Sequence, residues 1–364
     1  MRILVLNPGS SSMKVSIVDN GAVSHTAVWP AADVGGDESA VREGIERWGR
    51  PDAIAVRFVH GGSRPGPALV DDELLRWLDR LGPLAPLHQS LSVEVTRLVR
   101  ASLPGLPVVA CFDTSFHSGL PDAAARYALP RAWTAQNRLR RYGFHGLSCQ
   151  YAVRRCAELL ASPPVRMLCC HIGAGVSVTA IRHGVSVDTS MGFTPLEGAA
   201  MATRSGSVDP GLLLHVLATG DVDVPGLRDA LYHRSGLAGM TGTTGDLRDI
   251  LAARAAGDQA AGAAVAVYLH RLRREIGAVA MSLDRLDAVV FTGGVAEHQP
   301  GLIAELVHGL PLLGLEIDTS RLAGTGDRLI SPPGAAVSLC AIAAGEDVEL
   351  AREATALLAA PTHL

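Results

Sequence analysis

In ILVLNPGSSSMKVSIVDNG, residues Ile3 to Gly21, two strand-like runs flank a turn. Ile3 to Leu6 is a short apolar run of the kind found in strands buried on both faces. Asn7-Pro8-Gly9-Ser10 is turn-forming, and Lys14 to Asp19 alternates polar and apolar residues, the period of a strand. Asp19-Asn20-Gly21 turns the chain again. The serines therefore join two strands of a hairpin. A nucleotide P-loop needs GxxxxGK followed by Ser or Thr at the opening of a helix. Here Val15 follows Lys14 and the period is wrong, so the stretch is not a Walker A motif.

The same pattern returns in MLCCHIGAGVSVTAIRHG, Met167 to Gly184. An apolar strand, a glycine-rich turn and an alternating strand follow in the same order. Sliding one copy on the other by about 164 places pairs Asn7 with His171, Gly9 with Gly173 and Ile17 with Ile181. Two matched units of this kind predict two related domains facing each other. A third glycine turn, Thr292-Gly293-Gly294, follows the buried-strand run Ala288 to Phe291. Apolar residues at helical spacing predict helices over Asp71–Leu81, Leu147–Leu160, Asp246–Arg254, Ala260–Ala280 and Asp347–Ala359, and Asp209-Pro210 marks another helix start. Strands alternating with helices make this an α/β chain. Ser162-Pro163-Pro164, just before the second copy, is the candidate hinge region.

With 364 residues, 48% of them hydrophobic, the chain is long enough for two cores, because single cores stop growing near ~250–300 residues. A charged fraction of 19% without biased segments excludes a disordered chain. The net charge of −4 argues against nucleic acid as a partner. The amino-terminal apolar run is too short for a signal-peptide core. The later window Ala260–Leu269 runs straight into HRLRRE, so no membrane span is expected. Six cysteines without CxxC or metal spacing read as reduced structural thiols. A soluble cytoplasmic protein is expected. Lys14 is the only lysine; every other one of the 32 basic residues is arginine.

Paired glycine turns suggest a phosphate site, since their backbone N–H groups bind anions. Phosphoryl transfer also needs cationic side chains, a carboxylate for a metal ion and a site that excludes water. Candidates lie in dense polar strings: Arg57 and His60 in AVRFVHGG, His88 in APLHQS, Asp113 in VVACFDTSFH, His145 in RRYGFHG, and Arg204 in TSMGFTPLEGAAMATRSGSVDP. Arg57 directly follows a buried run, where a charge needs a partner or a ligand. Asp113 has a second reading as the cap of the Thr114-Ser115 turn, and a lone histidine such as His88 one as a hydrogen-bonded structural residue.

As a set, VLNPGSSSMK, VRFVHGG, LAPLH, FDTSFH, RRYGFHG, TSMGFTPLEG, TRSGSVDP, GDLRD and VVFTGGVAEH resemble, in order and context, the acetate kinase family. That family belongs to the acetate and sugar kinase, Hsp70 and actin superfamily. The resemblance runs from Ile3 to about Arg352. It implies an α/β fold of two duplicated ribonuclease-H-like (actin-like ATPase) domains with a cleft between them. The domains would be 1–147 and 148–346, with the last helix, 347–364, packing back on the first.

The resemblance also implies roles. Arg57 and Arg204 would flank the transferring phosphoryl group, Asp113 would be the acidic residue of the acetate end, and His145 would contact the transition state. Asn7, Ser10, Ser12 and Lys14 would form the loop near phosphate and metal. Glu346 best matches a magnesium-associated glutamate, with Asp347 as the other alignment. Val59, Leu87, His88, Phe144 and Pro195 would line the acetate pocket. His171, Gly173, Gly175, Asp246, Arg248, Gly293 and Gly294 would serve the nucleotide. Mg²⁺ (or Mn²⁺) and ATP/ADP are the implied cofactor and co-substrate, and a homodimer through the carboxy-terminal domains is the implied assembly.

The departures sit on the nucleotide side. Ala174 and Val176 stand where the family's turn has asparagine and serine, and His298 ends a turn that usually ends in asparagine. Losing one amide–nucleotide hydrogen bond costs about 0.5–1.5 kcal/mol, several-fold in affinity. Propionate or butyrate kinase, a pyrophosphate-dependent variant and an inactive nucleotide-binding regulator are the alternatives to acetate kinase.

Overall fold

The apolar run and the alternating run around NPGSSSMK form two antiparallel strands, β1 (Arg2–Pro8) and β2 (Ser12–Asp19), with Asn7 opposite Lys14. β3 (Ala22–Pro30) extends the meander, and β4 (Ala53–Phe58) lies parallel to β1. β5 (Ala68–Leu69) and β6 (Val108–Phe112) complete a six-stranded mixed sheet of order β3-β2-β1-β4-β6-β5. A second sheet is built from β7 (Arg166–Ile172), β8 (Val176–Arg182), β9 (Val185–Thr189), β10 (Ala288–Thr292), β11 (Arg328–Leu329) and β12 (Ser338–Ala341). Its order is β9-β8-β7-β10-β12-β11. The two sheets repeat one plan: an antiparallel three-strand meander, two further strands parallel to its first, and a short antiparallel edge. The computed structural model describes residues 1–9, 12–30 and 47–360, so Ser10 lies outside the described residues.

In the first sheet the central strands are buried on both faces, which is why Ile3 to Leu6 is continuously apolar. Leu4 and Leu6 face Leu74, Leu78, Val93 and Val99 of the helices Asp72–Asp79 and Gln89–Ser102. Ile3 and Val5 face Leu350, Ala351 and Ala354 of the helix Glu346–Ala359. Helix starts follow their caps: the Asp71 side chain accepts from Leu74 N, Asp209 from Gly211 N and Asp246 from Arg248 N. In the second sheet, the helix Gln259–Ala280 packs on β7 and β8.

The chain divides into two units: residues Met1–Gly119, Phe144–Tyr151 and Gly345 onward, and residues Leu120–Gly143 with Ala152–Ala344. This differs from a boundary at 147/148. Residues 120–143 go with the second unit because Tyr142 N donates to Gly192 O (3.0 Å) and Arg141 bonds Ser190 and Glu197. The Pro163-Pro164 break lies wholly inside the second unit.

Candidate active site

In parallel α/β sheets, ligands bind beyond the carboxyl ends of the strands. In the first unit, β1, β4 and β6 are neighbours, and their carboxyl ends carry Asn7, Arg57 and, one residue past β6, Asp113. The helix Glu346–Ala359 begins at the same place and adds Glu346 and Asp347.

Arg57 organises this cluster. Nε and Nη2 donate to the two Asp113 oxygens (3.1 and 2.7 Å) in a planar fork. Nη1 donates to Asn7 Oδ1 (3.1 Å) and Glu346 Oε2 (3.0 Å). Four of its five N–H groups are thereby committed, leaving one on Nη2. Burial works against the guanidinium's charge, but Asp113 and Glu346 outweigh it and hold the group above its ordinary value. Burial pushes the Asp113 carboxyl up to about 6 against the pull of Arg57, and the two-point fork with the guanidinium favours the carboxylate form.

Asn7 also donates from Nδ2 to Glu346 (2.9 Å) and, more weakly, to Asp347 (3.3 Å). Asp347 is buried and accepts from Ser16 Oγ (2.7 Å) and Lys14 Nζ (2.8 Å). The single lysine thus pairs with the last helix. Three carboxylates against two cations leave this cluster one negative charge.

His145 stands beside Asp113: its backbone N–H bonds the Asp113 carboxyl, and its φ of +56° is in the left-handed region. Gly146 follows because a Cβ there would lie 2.1 Å from Asp113 O. Val59 and Phe144 are buried, and Phe144 meets the edge of His60, centroids 5.6 Å apart. His88 precedes the helix Gln89–Ser102 and Leu87 precedes it. Ser12 opens β2, and its carbonyl accepts from Gly9 N (2.7 Å).

His60 has a structural role. Its Nδ1 accepts from Gly62 N (3.0 Å), its backbone is gripped by Gln89 at both N and O, and burial pushes its imidazole down to about 4. Gln89, Ser16 and the tie between Asp347 and Asn7 had no sequence signal, because their partners are distant in the chain.

In the second unit, His171, next to last in β7, pairs with Thr292 at the end of β10, so Gly173, Gly175, Gly293 and Gly294 follow neighbouring strand ends. Gly173 N closes the turn on Gly175 O (2.9 Å), and Ala174 O accepts from Ala202 N (3.2 Å). Gly245 packs on Ala202 O, which brings Asp246 near this turn. Asp246 itself is held by Arg248, whose hydrogen bonds bring its carboxyl down to about 2. Arg204 is 7% exposed. Its Nη1 donates to Pro195 O (2.6 Å), and no carboxylate pairs with it among the described residues. Burial pulls its guanidinium down to about 10. A buried cation without a counter-charge is expensive, and an anionic ligand would supply what is missing.

Residues 45–352 match the model of the acetokinase family. An acetate kinase of Synechococcus sp. is 40% identical, over 98% of this chain and 99% of the relative. The crystal structure of Porphyromonas gingivalis acetate kinase superposes with a TM-score of 0.87 at 30% identity, covering 98% of this chain and 99% of that one. A propionate kinase from Francisella tularensis superposes at 0.88 with 29% identity, covering 97% and 98%.

Proposed function

Because the chain belongs to the acetokinase family, we propose that it transfers the γ-phosphoryl group of ATP to acetate, reversibly and by direct in-line displacement, giving acetyl phosphate and ADP. The observation that carries this reading is Arg204, a buried guanidinium that donates to Pro195 O and has no carboxylate partner among the described residues. The acceptor carboxylate is already an anion and needs no strong base. The barrier is the approach of two anions, which fixed cations lower.

Arg204 donates to the phosphoryl oxygens, and Arg57 adds its remaining N–H. Asp113 holds the Arg57 fork in one plane, so that no reorganisation is needed as charge develops. His145 donates to an equatorial oxygen. Val59, Leu87, His88, Phe144 and Pro195 surround the acetate methyl group, while His171, Gly173, Gly175, Asp246, Arg248, Gly293 and Gly294 serve the nucleotide.

The net negative cluster of hard oxygen donors fits Mg²⁺, which is held by one or two carboxylates and substrate phosphates. Asn7 and Glu346 would hold it, with Ser12 and Lys14 nearby, and the bound ion would neutralise phosphate charge. Cytoplasmic location fits a chain in which no described helix is long and apolar enough to cross a membrane. The helix Pro210–Thr219 has no buried residue although Leu212 and Leu214 lie on it, 52% and 68% exposed. A second copy of the chain covers this face in the proposed homodimer.

Trapping the product with hydroxylamine tests the reading. Acetohydroxamate should form from acetate, ATP and Mg²⁺. Its absence with every carboxylate from formate to butyrate, and with ATP or pyrophosphate as donor, would overturn it. The propionate kinase likeness makes propionate the second acceptor to compare, since one methylene is worth only ~1–3 kcal/mol of discrimination.

A further inference from the structure

Residues 120–143 cross the second unit as two limbs bridged at Arg126 and Arg140. The limbs present Tyr127 and Arg141 side by side, with the Arg141 guanidinium 5.5 Å from the centre of the Tyr127 ring. Both reach Glu197. Tyr127 Oη donates to one carboxylate oxygen (2.5 Å) and Arg141 Nη2 to the other (2.8 Å). The same groups grip the backbone of the loop before Glu197. Phe193 N donates to Tyr127 Oη (2.8 Å), and Arg141 Nη1 donates to Ser190 O (3.1 Å). The fit has no spare room: a Cβ on Gly192 would lie 1.7 Å from Glu197 Oε2 and 2.0 Å from Tyr127 Oη. Burial, with Glu197 beside it, raises the Tyr127 phenol, so it remains a donor.

Pro195 lies between the two gripped points, Phe193 and Glu197, and its carbonyl is the acceptor for Arg204 Nη1. We infer that Tyr127, Arg141 and Glu197 form a clasp that positions Pro195 and, through its carbonyl, the Arg204 guanidinium. They are positioning residues for phosphoryl transfer, an assignment that rests on the role proposed above for Arg204. A merely structural clasp would stabilise the loop and leave the kinetics unchanged once the protein is folded.

The test uses Tyr127→Phe, Glu197→Gln and their double variant, with Arg204→Ala beside them. Each is assayed for kcat, for KM of acetate and ATP, and for Tm. Tyr127→Phe removes one hydroxyl, so it is the variant most certain to fold. The clasp predicts kcat lowered roughly tenfold to a hundredfold in each single variant, the scale of a misplacement near 1 Å. KM for acetate rises through Pro195, and KM for ATP stays within about twofold. The double variant should be no slower than the worse single one, because the two groups act as a unit. Amide exchange at Phe193, read independently of activity, should quicken in Tyr127→Phe.

Unchanged kcat and KM in folded clasp variants, beside an inactive Arg204→Ala, would overturn the clasp alone. Full activity in Arg204→Ala would overturn the reading on which it rests.

Discussion

The Lys14–Asp347 ion pair has two unequal ends: the lysine side chain is 49% exposed and the aspartate 5%. Removing one end should therefore cost more than removing the other. Lys14→Met deletes a half-solvated ammonium, whose attraction solvent screens to about 1 kcal/mol. Asp347 would still hold the Ser16 hydroxyl at 2.7 Å and the Asn7 amide at 3.3 Å, with the Arg57 charge acting on it. Asp347→Ala deletes the common acceptor. A hydrogen bond to a charged group contributes about 1.5–3 kcal/mol. Adding the half-exposed ion pair and a weak amide contact brings the loss to about 2–4 kcal/mol. The lower half of that range is expected, because Ser16 Oγ also lies 3.3 Å from Thr26 Oγ1. Urea unfolding of both variants measures the difference directly. Equal losses, or a larger one for Lys14→Met, would refute the reasoning from burial.

Two further outcomes follow from groups away from the cluster. Burial raises the Glu353 carboxyl from 4.5 to about 7, so the folded protein holds a proton that the unfolded chain releases between those values. Stability therefore falls as pH rises through that window. Glu353→Gln should be about 3 kcal/mol more stable than the parent at pH 8, a gain vanishing by about pH 4, as urea titrations across pH would show. Leu214, 68% exposed, should be covered if the proposed homodimer forms through this face, and Leu214→Glu should then lower the mass seen by light scattering to that of a folded monomer; a dimeric mass unchanged by the substitution would place the interface elsewhere.

Both hairpins were legible because each is a local pattern: an apolar run, a turn and an alternating run within twenty-odd residues. The same holds for Asp71, Asp209 and Asp246, whose side chains cap helices within three residues of themselves. Arg57 was legible as a charge stranded after a buried run, and the structure gives it Asp113, Asn7 and Glu346. What could not be read was set by distant partners. Ser16 and Asp347 meet across 331 positions, and nothing in VSIVD or GEDVE alone announces the pairing. Residues 120–143 follow the second unit because of hydrogen bonds to Ser190, Gly192 and Glu197, whereas the Pro163-Pro164 break is a local signal that marks no division. Glu349 and Glu353 belong to a helix expected to be amphipathic, yet both are buried. A charge in sequence does not state which way the helix is turned.

Arg204, buried and without a carboxylate partner among the described residues, is on this reading held for the transferring phosphoryl group. The most direct measurement is kcat for acetyl phosphate formation by Arg204→Ala, with its urea unfolding measured alongside. kcat should fall by about 10³ or more, the scale of losing a cation from a phosphoryl-transfer site. Stability should stay equal or rise, because an uncompensated buried charge has been removed. An unchanged kcat, or a loss of activity matched by a loss of folding, would contradict it.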